Sequence, residues 1–331
     1  INIHTGYNIP EYPFIASITE DYIRSLDICF VKETVGKNKW EQLYNYPSYG
    51  ISFFYSTLGN DEIFGREVAL TYFFKLYLFS KNRFRIFNRT GVGISYVNRK
   101  FDLKNNYLNV AVGSNVNIHF NSRIGMDYAL SDKISINAGL SFDHFSNANT
   151  SEPNLGINYI TGYGGASYRL GKKTEKQTHE FENHIKENSF ALFASIGGKH
   201  SRALVLKYFL TSSFSFEFNR AISRKFLLGF GSDLFYDSSV ESSMKKNNQN
   251  FNKSNRFQTG IHLTQSVVYN KITLSIQEGV YLFLTEKVKN YPLYSRGIVQ
   301  YQVNNQLLFR FAMKSHLHIL DYPEIGFGYK F

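Results

Sequence analysis

From about residue 48 to residue 331, apolar and polar side chains alternate with a period of two, and polar loops cut the alternation into segments. Phe214, Phe216 and Phe218 interleave with Ser213, Ser215, Glu217 and Asn219. Ile325, Phe327, Tyr329 and Phe331 interleave with Glu324, Gly326, Gly328 and Lys330, and a strand closed by an aromatic resembles the assembly signal of bacterial outer-membrane barrels. Successive side chains of a strand point to opposite faces, so each segment has one greasy and one wet side. No stretch approaches the ~18 to 20 unbroken apolar residues of a membrane helix. Half-hydrophobic strands of this kind suit a membrane barrel, which meets lipid outside and polar groups inside.

The alternation predicts strands near 48–57, 64–80, 84–100, 112–131, 133–147, 156–170, 189–200, 203–220, 224–239, 254–269, 271–286, 295–304, 306–317 and 322–331. Short connections such as Ser80–Arg83, Ser131–Lys133 and Tyr269–Lys271 alternate with longer ones at 57–64, 101–112, 147–156, 239–254 and 286–294. Short turns belong to the periplasmic side and long loops to the outside. The expected fold is therefore all-β: one transmembrane antiparallel β-barrel of about 14 strands, within a range of about 12–16. Residues 1–47 form a partly irregular N-terminal segment or add a first hairpin over 12–34, and the barrel occupies 48–331. Residues 171–188, rich in Lys and Glu, break the loop alternation and read as a charged linker.

Composition narrows the setting. A formal net charge of +11 suits anionic surfaces, including the phosphates of lipopolysaccharide. The Lys and Arg are scattered through loops without a binding motif, which argues against nucleic acid. One cysteine, Cys29, excludes an internal disulfide and a cysteine-based metal cluster. Export to the bacterial outer membrane implies a signal peptide that has been removed.

The chemistry sits in Ile134–Ser146. Ile134, Ile136, Ala138, Leu140 and Phe142 form the greasy face, and His144 and Ser146 continue it. From the turn to Ser146 the strand spans roughly 40 Å, or roughly 30 Å of depth at a tilt of about 40°, against an apolar band about 25 Å tall. Ser146 thus lies at the outer boundary, level with acyl ester linkages of lipid headgroups. On the next strand Asn158 shares a parity with Ile160, Gly162, Gly164, Ala166 and Tyr168, and so faces lipid too. These residues can act as nucleophile (Ser146), general base (His144) and imidazole orienter (Asn158). Asn147 can donate a hydrogen bond to the oxyanion. Such a serine mechanism needs no metal or cofactor.

His144-Phe145-Ser146-Asn147, followed by Pro153-Asn154-Leu155-Gly156, resembles the catalytic region of PagL-type lipid A 3-O-deacylases, the acyloxyacyl-hydrolase-like outer-membrane barrels. The resemblance is strongest over about 84–170. It implies general base, nucleophile and oxyanion roles for His144, Ser146 and Asn147. The family's acidic third member falls at Asn158, an amide that orients histidine without the charge of a carboxylate. Glu152 and Asp143 are candidate substitutes, although Asp143 has the opposite parity. Family members are small eight-stranded barrels, so the second half of the chain exceeds the pattern.

The function this implies is removal of an acyl chain from lipid A, with lipid A, lipopolysaccharide and outer-membrane lipids as partners. One alternative is a catalytically degenerate barrel serving as a pore or as a structural subunit of an outer-membrane protein complex. Another is a phospholipase-like activity of the same residues. His316 and His318 share a strand face without metal geometry, and His179 and His184 read as solvated linker residues. The lysines of 245–253 are weak candidates for lipid phosphates.

Overall fold

A computed structural model describes residues 1–148, 150–172, 174–181, 186–200, 207–282, 292–316 and 319–331 of the chain. His184 and His318 lie outside the described residues, as does most of the loop expected at 286–294.

The single-barrel expectation is overturned. The strands close into two separate eight-stranded antiparallel barrels. The first contains β1 (Asn2–Asn8), β2 (Ile23–Glu33), β3 (Ser48–Thr57), β4 (Arg66–Lys81), β5 (Phe84–Val97), β6 (Val116–Ala129), β7 (Ile134–Ser146) and β8 (Ile157–Tyr168). It is sealed by β1 against β8, with Asn2 opposite Gly165 and Asn8 opposite Tyr159. The second contains β9 (Asn188–His200), β10 (Tyr208–Ala221), β11 (Phe226–Asp237), β12 (Phe257–Tyr269), β13 (Ile272–Tyr281), β14 (Leu293–Gln302), β15 (Leu307–His316) and β16 (Ile319–Lys330). It is sealed by β9 against β16, with Ala191 opposite Lys330. Alternation locates strands, yet every strand carries the same greasy-and-wet signature, and nothing in that signature says which distant strand closes the ring. The two strands beyond the segments counted from residue 48 are β1 and β2, so residues 1–47 contribute to the first barrel.

An eight-stranded barrel is just wide enough for its own side chains to fill. In the first unit (residues 1–180) Asp27 is the interior hub: Arg89 donates to it at 3.0 Å, and Arg123 and Ser52 also donate to it. His119 lies between Glu67 at 2.8 Å and Asp143 at 3.2 Å. In the second unit Asp233 has the same role, held by Arg296, by His262 at 2.6 Å and by the Tyr294 hydroxyl at 2.5 Å. Buried charges survive only when paired in this way. These networks line the interiors of the two barrels.

Two further features of the first unit bear on the site. At the outer end, Ile15 of α1 (Pro13–Ser17) joins Ile23, Phe54, Leu58, Phe64, Val97, Phe145, Ile157 and Tyr159 in an apolar plug inside the barrel. At the opposite end, His179 of the linker is half-buried while the described linker residues around it are exposed. His179 Nε2 lies 2.6 Å from the Gly36 carbonyl and its backbone N–H donates to Gln42, next to α2 (Lys39–Leu43).

Candidate active site

The site is assembled on the tops of β7 and β8. Along β7 the exposed residues are Ile134, Ile136, Leu140 and Phe142, whereas Ser141, Asp143 and Phe145 are buried inside. His144 and Ser146 lie on the exposed, lipid-side parity. The two strands pair with His144 opposite Asn158. Inward-facing neighbours anchor them from behind: Phe145 and Tyr159 are fully buried, and Ile157 nearly so. Tyr159 donates to Glu67 at 3.0 Å, and that carboxylate also engages His119. The interior therefore fixes the strands while the outer face presents the polar groups.

His144 bridges its two neighbours. Its Nδ1 lies 2.6 Å from Asn158 Oδ1, and its Nε2 lies 3.1 Å from Ser146 Oγ. Asn158 Oδ1 can only accept, so Nδ1 carries the proton and Nε2 is left to accept from the serine hydroxyl. All three groups are partly buried, which limits water around the pair while leaving it open to one side.

Asn147 stands beside the trio but turns toward its own loop. Its Nδ2 donates to the Ser151 carbonyl at 2.8 Å, and its Oδ1 accepts from the Thr150 N–H at 3.1 Å. Its backbone N–H donates to Asn154 Oδ1 at 3.0 Å. One Nδ2 hydrogen is left for another acceptor. Neither suggested substitute carboxylate joins the histidine: Asp143 faces the interior and binds His119 and Ser141, and Glu152 is an exposed loop residue.

Gly156 is a site residue that side-chain chemistry could not single out. Its φ is +74°, and a Cβ there would lie 2.9 Å from His144 Cε1 and 3.4 Å from Ser146 Cβ. Its N–H donates to the Ala111 carbonyl at 2.9 Å, tying the site loop to the neighbouring outer loop. The one signal for it in the sequence is its place at the end of Pro153-Asn154-Leu155-Gly156. Of the other histidine pair, His316 contacts Asp321 at 3.2 Å and the Leu293 carbonyl at 3.4 Å, and His318 lies outside the described residues.

The first unit is an eight-stranded barrel that carries a hydrogen-bonded serine–histidine pair on the exposed parity of β7. Two family models match the chain. Residues 28–167 match the family model of lipid A 3-O-deacylase (PagL), and residues 188–331 match that of the acyloxyacyl hydrolase C-terminal domain. The chain belongs to the PagL-type lipid A 3-O-deacylase family, and its location is the bacterial outer membrane. The two matched stretches correspond to the two barrels. Among solved structures, the chain is similar to the outer membrane enzyme PagL at 15% identity, with 51% of this chain and 98% of that one covered and a TM-score of 0.32. It is also similar to Omp33 of Acinetobacter baumannii at 8% identity, covering 100% of this chain and 95% of that one with a TM-score of 0.18. No curated protein matches the chain.

Proposed function

We propose that the first barrel hydrolyses an ester-linked acyl chain of lipid A in the outer leaflet, with Ser146 as nucleophile and His144 as general base. The observation that carries this is the imidazole held at both nitrogens, by Asn158 on one side and the serine hydroxyl on the other, on the lipid-side parity of β7. In this mechanism Ser146 Oγ attacks the ester carbonyl carbon while its proton passes to His144 Nε2. The carbon–oxygen bond to the sugar then breaks, and the imidazolium returns the proton to the sugar oxygen. A water molecule, deprotonated by the same nitrogen, attacks the acyl-serine and releases the fatty acid. Asn158 keeps the imidazole in the reactive tautomer, and the remaining Nδ2 hydrogen of Asn147 is available to the oxyanion.

The test is mass spectrometry of lipid A after incubation of lipopolysaccharide with the purified protein and with Ser146→Ala. Loss of one acyl chain with the parent protein alone supports the proposal. Equal deacylation by both proteins, or by neither, overturns it. A place in an outer-membrane protein complex finds no support in the comparisons.

A further inference from the structure

The catalytic reading leaves a gap: an imidazole oriented by an amide has no charged partner when it becomes imidazolium. We propose that Glu11, on the loop after β1, supplies that charge and is a positioning residue for His144. The inference rests on the Ser146–His144 reading above.

Strand register leads to it. β1 seals the barrel against β8, and beyond the last pair of Asn8 with Tyr159 the Ile9 N–H still donates to the Asn158 carbonyl at 2.7 Å. Ile1, Ile3, Thr5, Tyr7 and Ile9 are exposed in this segment, and Asn2, His4 and Gly6 are buried. Ile9 therefore lies next to Asn158 in the row that also holds His144. Two residues further along the same parity is Glu11, which is exposed. The β1–β8 ladder ends at Asn8 and Tyr159, so Glu11 lies three residues beyond it, at the end of the barrel where Asn158 and His144 pair.

The loop is also stiff. Pro10 and Pro13 bracket Glu11, and Tyr12 is extended, with φ −125° and ψ 141°. Proline fixes its own φ and restricts the residue before it, so the backbone is restricted at Ile9 and Pro10 on one side of Glu11 and at Tyr12 and Pro13 on the other. Glu11 and Glu67 are among the charged groups that interact electrostatically with His144. Glu67 is committed inside the wall to His119 and Tyr159. Only Glu11 shares the outer face with the imidazole.

The test compares lipopolysaccharide deacylation by the full chain and by Glu11→Gln, Glu11→Asp, Asn158→Glu, the double variant Glu11→Gln/Asn158→Glu, and Ser146→Ala. Glu11→Gln is expected to lower kcat about tenfold at unchanged KM, because the charge acts on the transition state and not on ground-state binding. Glu11→Asp should keep most of the rate. Asn158→Glu brings a carboxylate directly to Nδ1, so adding Glu11→Gln to it should cost less than twofold. A parental kcat in Glu11→Gln overturns the proposal. So does a rise in KM alone, or an equal tenfold loss in the Asn158→Glu background. Undiminished activity of Ser146→Ala would instead remove the serine reading itself, and is a separable result.

Discussion

Gly156→Ala perturbs the site without removing a functional group, and its effect can be worked from the geometry. The added Cβ would approach His144 Cε1 to 2.9 Å, where ordinary contact begins near 3.4 Å, so the imidazole or the loop must yield by about 0.5 Å. Misplacing a reacting group by about 1 Å costs roughly a hundredfold in rate, so half that displacement predicts a loss of about tenfold. An alanine at φ +74° also costs the loop about 1–2 kcal/mol. These effects are separable, because the loop lies outside β7 and β8, and the barrel ladder does not depend on it. Deacylation is followed by mass spectrometry, and folding by the temperature at which the barrel loses its compact mobility in detergent gels. Gly162→Ala is the control: it lies on the exposed parity of β8, and its Cβ would meet nothing within 4 Å. The expected result is about a tenth of parental activity in Gly156→Ala on a folded barrel, and full activity in Gly162→Ala. Full activity of Gly156→Ala would refute the view that this glycine seats the imidazole. Equal losses in both variants would refute it as well.

Other perturbations address the orienter, the interior and the closure. Asn158→Ala removes the acceptor at Nδ1 and frees the other tautomer, and should lower kcat about a hundredfold with little change in unfolding temperature. A change confined to KM would contradict the orienting role. Asp27→Asn leaves Arg89 and Arg123 buried without their shared carboxylate, and should destabilise the first barrel by about 3 kcal/mol in denaturant titration. Unchanged stability would mean that the interior network is not what holds the strands. Thr5 and Gly162 face each other across the β1–β8 seal, so a double cysteine variant at these positions, in a Cys29→Ser background, should be bridged by a short thiol-specific bifunctional reagent that spans about 5 Å. Failure to cross-link would argue for a single larger ring.

Particular residues show why some of this was legible in the sequence and some was not. His144 and Ser146 announce themselves because they break an apolar row, and parity alone puts them on the lipid side. Asn158 follows from the same rule on the next strand. The periods of 2 along β3 to β16 likewise locate strands, since each must offer one face to lipid and one to the interior. Closure is different in kind. It depends on β1 meeting β8 and on β9 meeting β16, and those contacts join segments more than a hundred residues apart with no signature beyond the one all strands share. The visible trace of two rings was the charged stretch 171–188, which interrupts the alternation of short and long connections after the eighth strand. β1 escaped notice because it is short, Asn2–Asn8, and Thr5 interrupts the exposed apolar row between Ile3 and Tyr7. That omission also hid what the strand delivers. With β1 absent from the ring, Asn158 has no outer neighbour and the carboxylate missing from position 158 has no source. Once β1 is paired with β8, the loop that follows it starts beside Asn158, which brings Glu11 to the end of the barrel that carries His144.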